Sequence, residues 1–171
     1  METIFVSIVS VALILISSIT MTASSIRSTN KLADSIKQME ARTLEIRRTD
    51  ISAVPPAAYT GGSINLTVVN EGQISFADFS HWDVIIQFQH GDVVYLPYAE
   101  TNPPGNNRWA VAGIYRSGGL PEVFDAGILD PGEQMTLSIV VDPEMETDET
   151  CRITVSTHNG IQAQVQITRE S

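Results

Sequence analysis

The sequence predicts an α+β chain in two parts, a long apolar N-terminal helix followed by an all-β antiparallel sandwich head. Three observations predict it. All eleven Gly lie between Gly61 and Gly160 and the first Pro is Pro55, so the first fifty-odd residues hold nothing that interrupts a helix. No charged residue occurs from Thr3 to Ile26. Beyond residue 60, short runs alternate apolar and polar residues with turn formers between them, the pattern of strands buried on one face. The expected division is 1–54 for the helix, 55–62 for a linker and 63–171 for the head.

The first element is the helix. Twenty-four helical residues rise about 36 Å, enough to cross a hydrocarbon core of about 30 Å. A simple membrane anchor would account for that stretch alone. A cleavable secretory signal fits less well, because the apolar run is long, no basic segment precedes it and no clear small-residue cleavage site ends it. Apolar spacing then continues past the uncharged run. Leu32, Ile36, Met39, Thr43 and Ile46 follow at intervals of four, three, four and three, a heptad-like stripe with one Thr in it. One helix from about Ile4 to about Asp50 is expected, about 70 Å long. Pro55-Pro56 then forces an extended exit.

The head follows. Ile64, Leu66 and Val68 share one parity, and so do Trp82, Val84, Ile86 and Phe88. The same holds for Met135, Leu137, Ile139 and Val141, for Cys151, Ile153 and Val155, and for Ile161, Ala163, Val165 and Ile167. Weaker strands are expected at Val93–Leu96, Trp109–Tyr115 and Val123–Ile128. Asp130-Pro131-Gly132-Glu133 reads as a turn and His158-Asn159-Gly160 as a hairpin connection. Short strands with frequent turns indicate an immunoglobulin-like sandwich. Because the alternation is complete within residues 60–171, that span is expected to fold alone as a soluble, acidic, monomeric β-domain.

Charge divides where the elements do. Residues 1–50 carry six basic and five acidic groups, while residues 51–171 carry four Arg, no Lys and fifteen acids, a net charge of −11. So acidic a head excludes nucleic acid, which is bound through cationic contacts to phosphate. The sole cysteine, Cys151, has no partner for an internal disulfide and has the inward parity of a small buried hydrophobe.

Motifs of catalysis are not found. There is no phosphate loop, zinc spacing or nucleophile elbow, so neither an enzymatic role nor a cofactor is expected. His81 and Asp83 should lie side by side facing solvent, and His158 falls in a turn. Asp142, Glu144, Glu146 and Asp148 alternate like a calcium loop, but Thr147 and Ile153 stand where that loop needs its Gly and its last acid. A solvated acidic loop is expected there, with no metal. Asn65-Leu66-Thr67 is an N-glycosylation sequon whose Asn alternates outward.

Several segments resemble one family. The apolar N-terminal helix is similar to the assembly helix of archaellins (archaeal flagellins) and of the wider type IV pilin superfamily. Arg47-Arg48-Thr49-Asp50-Ile51, Leu66-Thr67-Val68-Val69-Asn70-Glu71-Gly72 and Phe79-Ser80-His81-Trp82-Asp83-Val84 resemble the archaellin helix exit and first strands. Leu129-Asp130-Pro131-Gly132-Glu133 and Val155-Ser156-Thr157-His158-Asn159-Gly160 resemble its later strands. The same segments resemble the archaellum accessory proteins F and G, which share the helix-plus-sandwich plan. Pilins place a Glu at the fifth mature position; here it is Phe5, and the acid is Glu2.

The resemblance implies a structural subunit of an extracellular filament for swimming, polymerising through its helix. It implies a membrane-embedded state before assembly, and a prepilin-type peptidase and a motor platform as partners. The helix-packing residues would be Ile4, Phe5, Ile8, Val11, Leu15, Ile19, Ile26, Leu32, Ile36, Met39 and Ile46. A basic leader removed from a precursor would make Met1 a mature terminus. The alternatives are a membrane-anchored accessory protein whose sandwich binds the cell envelope, and a non-rotating adhesive pilin.

Overall fold

The structure is a computed structural model that describes residues 2–171, with side chains described for all of these except residues 2–5 and 23. A single helix, α1, runs Glu2–Arg48. Eight strands follow: β1 Ile51–Val54, β2 Ile64–Asn70, β3 Asp83–Phe88, β4 Val93–Leu96, β5 Arg108–Tyr115, β6 Gln134–Val140, β7 Thr150–Ser156 and β8 Gln162–Thr168. They form two four-stranded sheets, ordered β1-β2-β6-β5 and β4-β3-β7-β8, and every ladder is antiparallel. The chain divides between Leu44 and Glu45, so the last helical turn belongs with the head.

The helix follows from the absence of Gly and Pro through residue 48. Its Ser and Thr residues turn their hydroxyls onto their own backbone: Ser10 donates to the Val6 carbonyl, Ser18 to Ile14, Thr20 to Ile16 and Thr22 to Ser18, all within 2.9 Å. A hydroxyl so occupied costs little to place among apolar groups, so these residues do not break the apolar run. Among the described residues, this is the one helix long and apolar enough to cross a membrane.

The head packs the inward parity of both sheets. Leu66, Ile86, Trp82, Trp109, Met135, Leu137 and Ile139 are fully buried, as are Cys151, Ile153 and Val155. Phe76 and Phe79 meet the Trp82 ring edge to face, with centroids 5.1 and 5.5 Å away, an arrangement that adds to their area burial. The turn at Asp130–Glu133 closes with Glu133 N donating to the Asp130 carbonyl at 3.0 Å. Gly132 sits there at φ 84°, which Gly adopts without strain.

Two expectations differ from the structure. Ile51–Val54, read from sequence as part of the helical segment, is an edge strand that pairs with β2 in the register Ile51 with Asn70. A head cut at residue 60 therefore lacks one of its strands. Val123–Ile128 is not a strand either. The Glu122 carboxylate accepts from the backbone N–H groups of Val123 and Phe124 (3.0 and 2.8 Å), and Ile128 N closes a turn on the Asp125 carbonyl. With its donors taken locally, the segment has little to offer a ladder. Just beyond it, Leu129 forms an isolated antiparallel bridge with Phe76.

Candidate functional site

The first candidate surface is the helix itself. Ile8, Val11, Leu15, Ile19, Ile26, Leu32, Ile36 and Met39 are exposed in the single chain, and Ile46, in the turn that belongs with the head, is half-buried. Ile4 and Phe5, named with them from the sequence, lie outside the described side chains. So much exposed apolar side chain on one element is unfavourable in water, and it marks a surface that something else covers.

The second is the helix exit, where motifs far apart in sequence meet. Asn70 at the end of β2 is fully buried. Its side-chain amide donates to the carbonyls of Ile74 (2.8 Å) and Leu129 (3.1 Å) and accepts from Gly72 N (3.1 Å). The turn it shapes lies against the helix exit: Gln73 N donates to the Arg48 carbonyl at 2.7 Å and Glu71 N to the Asp50 carbonyl at 3.0 Å. A β-carbon at Gly72 would stand 2.6 Å from both the Arg48 oxygen and the Asp50 nitrogen, so only Gly lets the two backbones approach this closely. From the β7–β8 turn, Asn159 Nδ2 donates to Thr49 Oγ1 (2.6 Å), and Thr49 Oγ1 donates in turn to the Glu45 carbonyl (2.9 Å). His158 Nε2 and Glu45 Oε1 are 3.0 Å apart. The last helical turn is thus held by both sheets. Sequence reading picked out Asn70-Glu71-Gly72 and His158-Asn159-Gly160 as motifs but did not reveal that they converge here.

The remaining singled-out residues disperse. His81 Nδ1 pairs with Asp78 (3.0 Å), which Ser80 also bonds and so holds below the usual carboxylate range, while Asp83 accepts from the Tyr95 hydroxyl at 3.1 Å. The expected neighbours His81 and Asp83 are both exposed, each with a different partner. In the acidic loop, Asp142 accepts from Asn106 Nδ2 (2.6 Å) and Glu144 lies 3.5 Å from Arg169. Glu149 sits 2.8 Å from His90 and accepts from Glu146 N. Among the described residues, no three His, Cys, Asp or Glu gather in a metal-holding group. Burial pushes the Cys151 thiol up to about 12, as befits a packed, unreactive sulfur. Asn65 is exposed on the outer face of β2, opposite Ser138 of β6.

One feature had no clear sequence signal. The β5–β6 connection holds Leu120, Val123 and Phe124 out in solvent. Arg116 binds both carboxylate oxygens of Glu122, its Nη2 reaching Oε1 at 3.0 Å. The same guanidinium lies over the Phe124 ring, 5.5 Å from its centre. Arg116, with the bond from Phe124 N, holds the Glu122 carboxyl down to about 2.

No protein-family model and no curated protein matches this chain. Solved structures do. The archaellum periplasmic stator protein FlaG from Sulfolobus acidocaldarius superposes with a TM-score of 0.50 at 15% identity, over 70% of this chain and 99% of that one. Archaeal flagellin FlaB1 from Methanocaldococcus jannaschii gives 0.51 at 9%, over 71% and 90%. The archaeal flagellum of Methanospirillum hungatei gives 0.51 at 14%, over 95% and 93%. The fold is archaellin-like. At these identities the likeness is one of fold, and it extends in the third case across the helix as well as the head, since a match over 95% of the chain cannot omit a 47-residue helix.

Proposed function

We propose that this chain is the structural subunit of an archaellum-type filament, polymerising through α1, with its acidic head on the outside. The observation that carries the reading is the match to the Methanospirillum hungatei flagellum over nearly the full length of both chains, joined to a 47-residue helix whose apolar face is exposed in the single chain. About 20 helical residues suffice to span a membrane. A helix more than twice that long, with Leu32, Ile36 and Met39 beyond the uncharged run, suits a polymer in which other copies cover it.

The mechanism is a transfer between two apolar settings. The uncharged part of α1 is stable in lipid before assembly and among other copies of itself afterwards, so moving between them loses no burial. Once formed, a core that removes apolar surface from water at about 25 cal/mol per Å2 resists dissolution. The chain does no chemistry in this reading. A peptidase processes the precursor and a motor platform inserts the subunits, as the resemblance implies. The head's net charge of −11 keeps neighbouring filaments from bundling at low salt. Exposed Asn65 is the position for an attached glycan.

The fold likeness to stator FlaG, over 99% of that chain, favours a second reading, a membrane-held accessory whose sandwich grips the cell envelope. Filaments sheared from cells separate the two. The chain as the major component, in many copies, supports the subunit reading. Its absence from filaments, with the protein retained in membranes at low copy number, replaces that reading with the accessory one.

A further inference from the structure

The exposed loop after β5 is built rather than slack. Phe124, Val123 and Leu120 are 83, 79 and 68% exposed, yet their backbone is fixed by the Glu122 carboxylate, by Arg116 N donating to the Leu120 carbonyl and by Glu122 N donating to Ile114. Beside the loop lies a groove of about 360 Å3, lined by Phe79, Tyr98, Val111 and Ala126 together with Asp78 and Ser80. The loop leaves β5 at Tyr115, which pairs with Gln134. Glu133, next in the chain, bonds Asn70, the residue that holds the helix exit. Loop, groove and helix exit therefore share one end of the head.

A rigidly presented aromatic, backed by Arg116 on one face and set beside a groove of mixed polarity, is a surface fit for a partner. The chain contains a segment of matching character. Residues 27–48 carry six basic and three acidic groups, a net of +3, against −11 for the head. On that segment Leu32, Ile36 and Met39 are exposed in the single chain. We propose that residues 27–48 of a neighbouring copy dock on the Leu120–Phe124 loop and its groove. The contact rests on the filament reading and deepens it by naming which surfaces meet outside the apolar core. Apolar side chains of the helix meet Leu120, Val123 and Phe124, and the cationic helix faces an anionic head with Asp78 in the groove, a complementarity that also fixes register. An anionic lipid surface is disfavoured at this loop, because Asp125 and the surrounding head would be repelled by it.

The test replaces Phe124 with the photoreactive p-benzoylphenylalanine in the full chain, expressed in cells that assemble filaments. At so exposed a site this change leaves the fold alone. Illumination should give a covalent dimer, with the adduct mapped by mass spectrometry to residues 27–48 of the second copy. Lys37→Glu combined with Arg42→Glu should abolish it. An adduct on lipid, on another protein or on a second head, no adduct at all, or a dimer undiminished by the charge reversal each overturns the contact. The composition of unilluminated sheared filaments is read separately. A chain found in filaments without the adduct loses the contact and keeps its function. An adduct in membranes of a chain absent from filaments does the reverse.

Discussion

Gly72 concentrates the demands of the helix exit in one missing side chain. A β-carbon there would overlap the Arg48 carbonyl and the Asp50 nitrogen, which are backbone and give way only if the exit moves. Gly72→Ala should therefore destabilise the head by about 1–3 kcal/mol, the usual cost of overpacking. Gly127→Ala, at a position with nothing within 4 Å of the new carbon, should cost far less. Urea unfolding of residues 45–171 measures both, and equal midpoints would mean the close approach at Gly72 carries no energetic weight. Glu122 makes a prediction in pH. Its carboxyl titrates near 2 in the folded head against an ordinary 4.5, so the folded state favours the ionised form. The stability this contributes is complete above about 4.5 and is lost as pH falls toward 2. Neighbouring Glu133 is shifted the opposite way by burial, so its contribution is present at low pH and is lost as pH rises through its raised value. Glu122→Gln keeps an oxygen for the two loop N–H groups and removes the charge. Acid titration of that variant should show a shallower loss of stability between pH 4.5 and 2, and an unchanged slope would place the acid sensitivity elsewhere.

At the scale of elements, the test case is β1. It is four residues long, pairs with β2 alone and buries Ile51. Deleting it strips the β2 edge and opens a space where Ile51 packed; losing one such side chain costs about 2–5 kcal/mol. A fragment beginning at Glu45 should unfold cooperatively with a β-type circular dichroism spectrum. One beginning at residue 60 should unfold at clearly lower urea, and equal midpoints would show that β1 contributes nothing. The strands most legible in the sequence are those with three or more inward residues in strict alternation, as in Val84, Ile86 and Phe88, and the weaker readings at Val93–Leu96 and Trp109–Tyr115 also correspond to strands. Ile51-Ser52-Ala53-Val54 offers only two inward positions, one of them Ala, pressed between a helix end and Pro55-Pro56. Nothing local distinguishes it from a helix exit, and its strand character comes from pairing with residues 67–70. Val123–Ile128 fails in the opposite sense: its β-prone Val and Phe suggest a strand, but a carboxylate one residue upstream takes their N–H groups. The joint was legible as motifs and illegible as a site, because Asn70, Gly72 and Asn159 act on the helix through contacts made only in the folded head.

For the whole molecule, the question is what covers α1. The uncharged stretch cannot answer it, since lipid and a bundle of like helices both select apolar side chains and both accept Ser and Thr hydroxyls bonded to their own backbone. The segment beyond is informative. Ile36 is 48% exposed in the single chain and lies ten residues past the end of the uncharged run. A lone anchor has no need of an apolar residue there, whereas a filament buries it in every subunit. Ile36→Asp should leave membrane insertion intact, because the stretch from Thr3 to Ile26 is unchanged. At a buried contact with another copy it would leave an unpaired carboxylate without water, at a cost of several kcal/mol per ion. That cost recurs at every subunit added, so it opposes each step of growth. Cells carrying the variant should accumulate the protein in membranes at normal levels and make no filaments. Ile36→Leu, which keeps the apolar contact, should restore them. Normal, motile filaments built from the Ile36→Asp variant would show that this part of the helix faces solvent in the polymer, and the membrane-held accessory would then become the better reading.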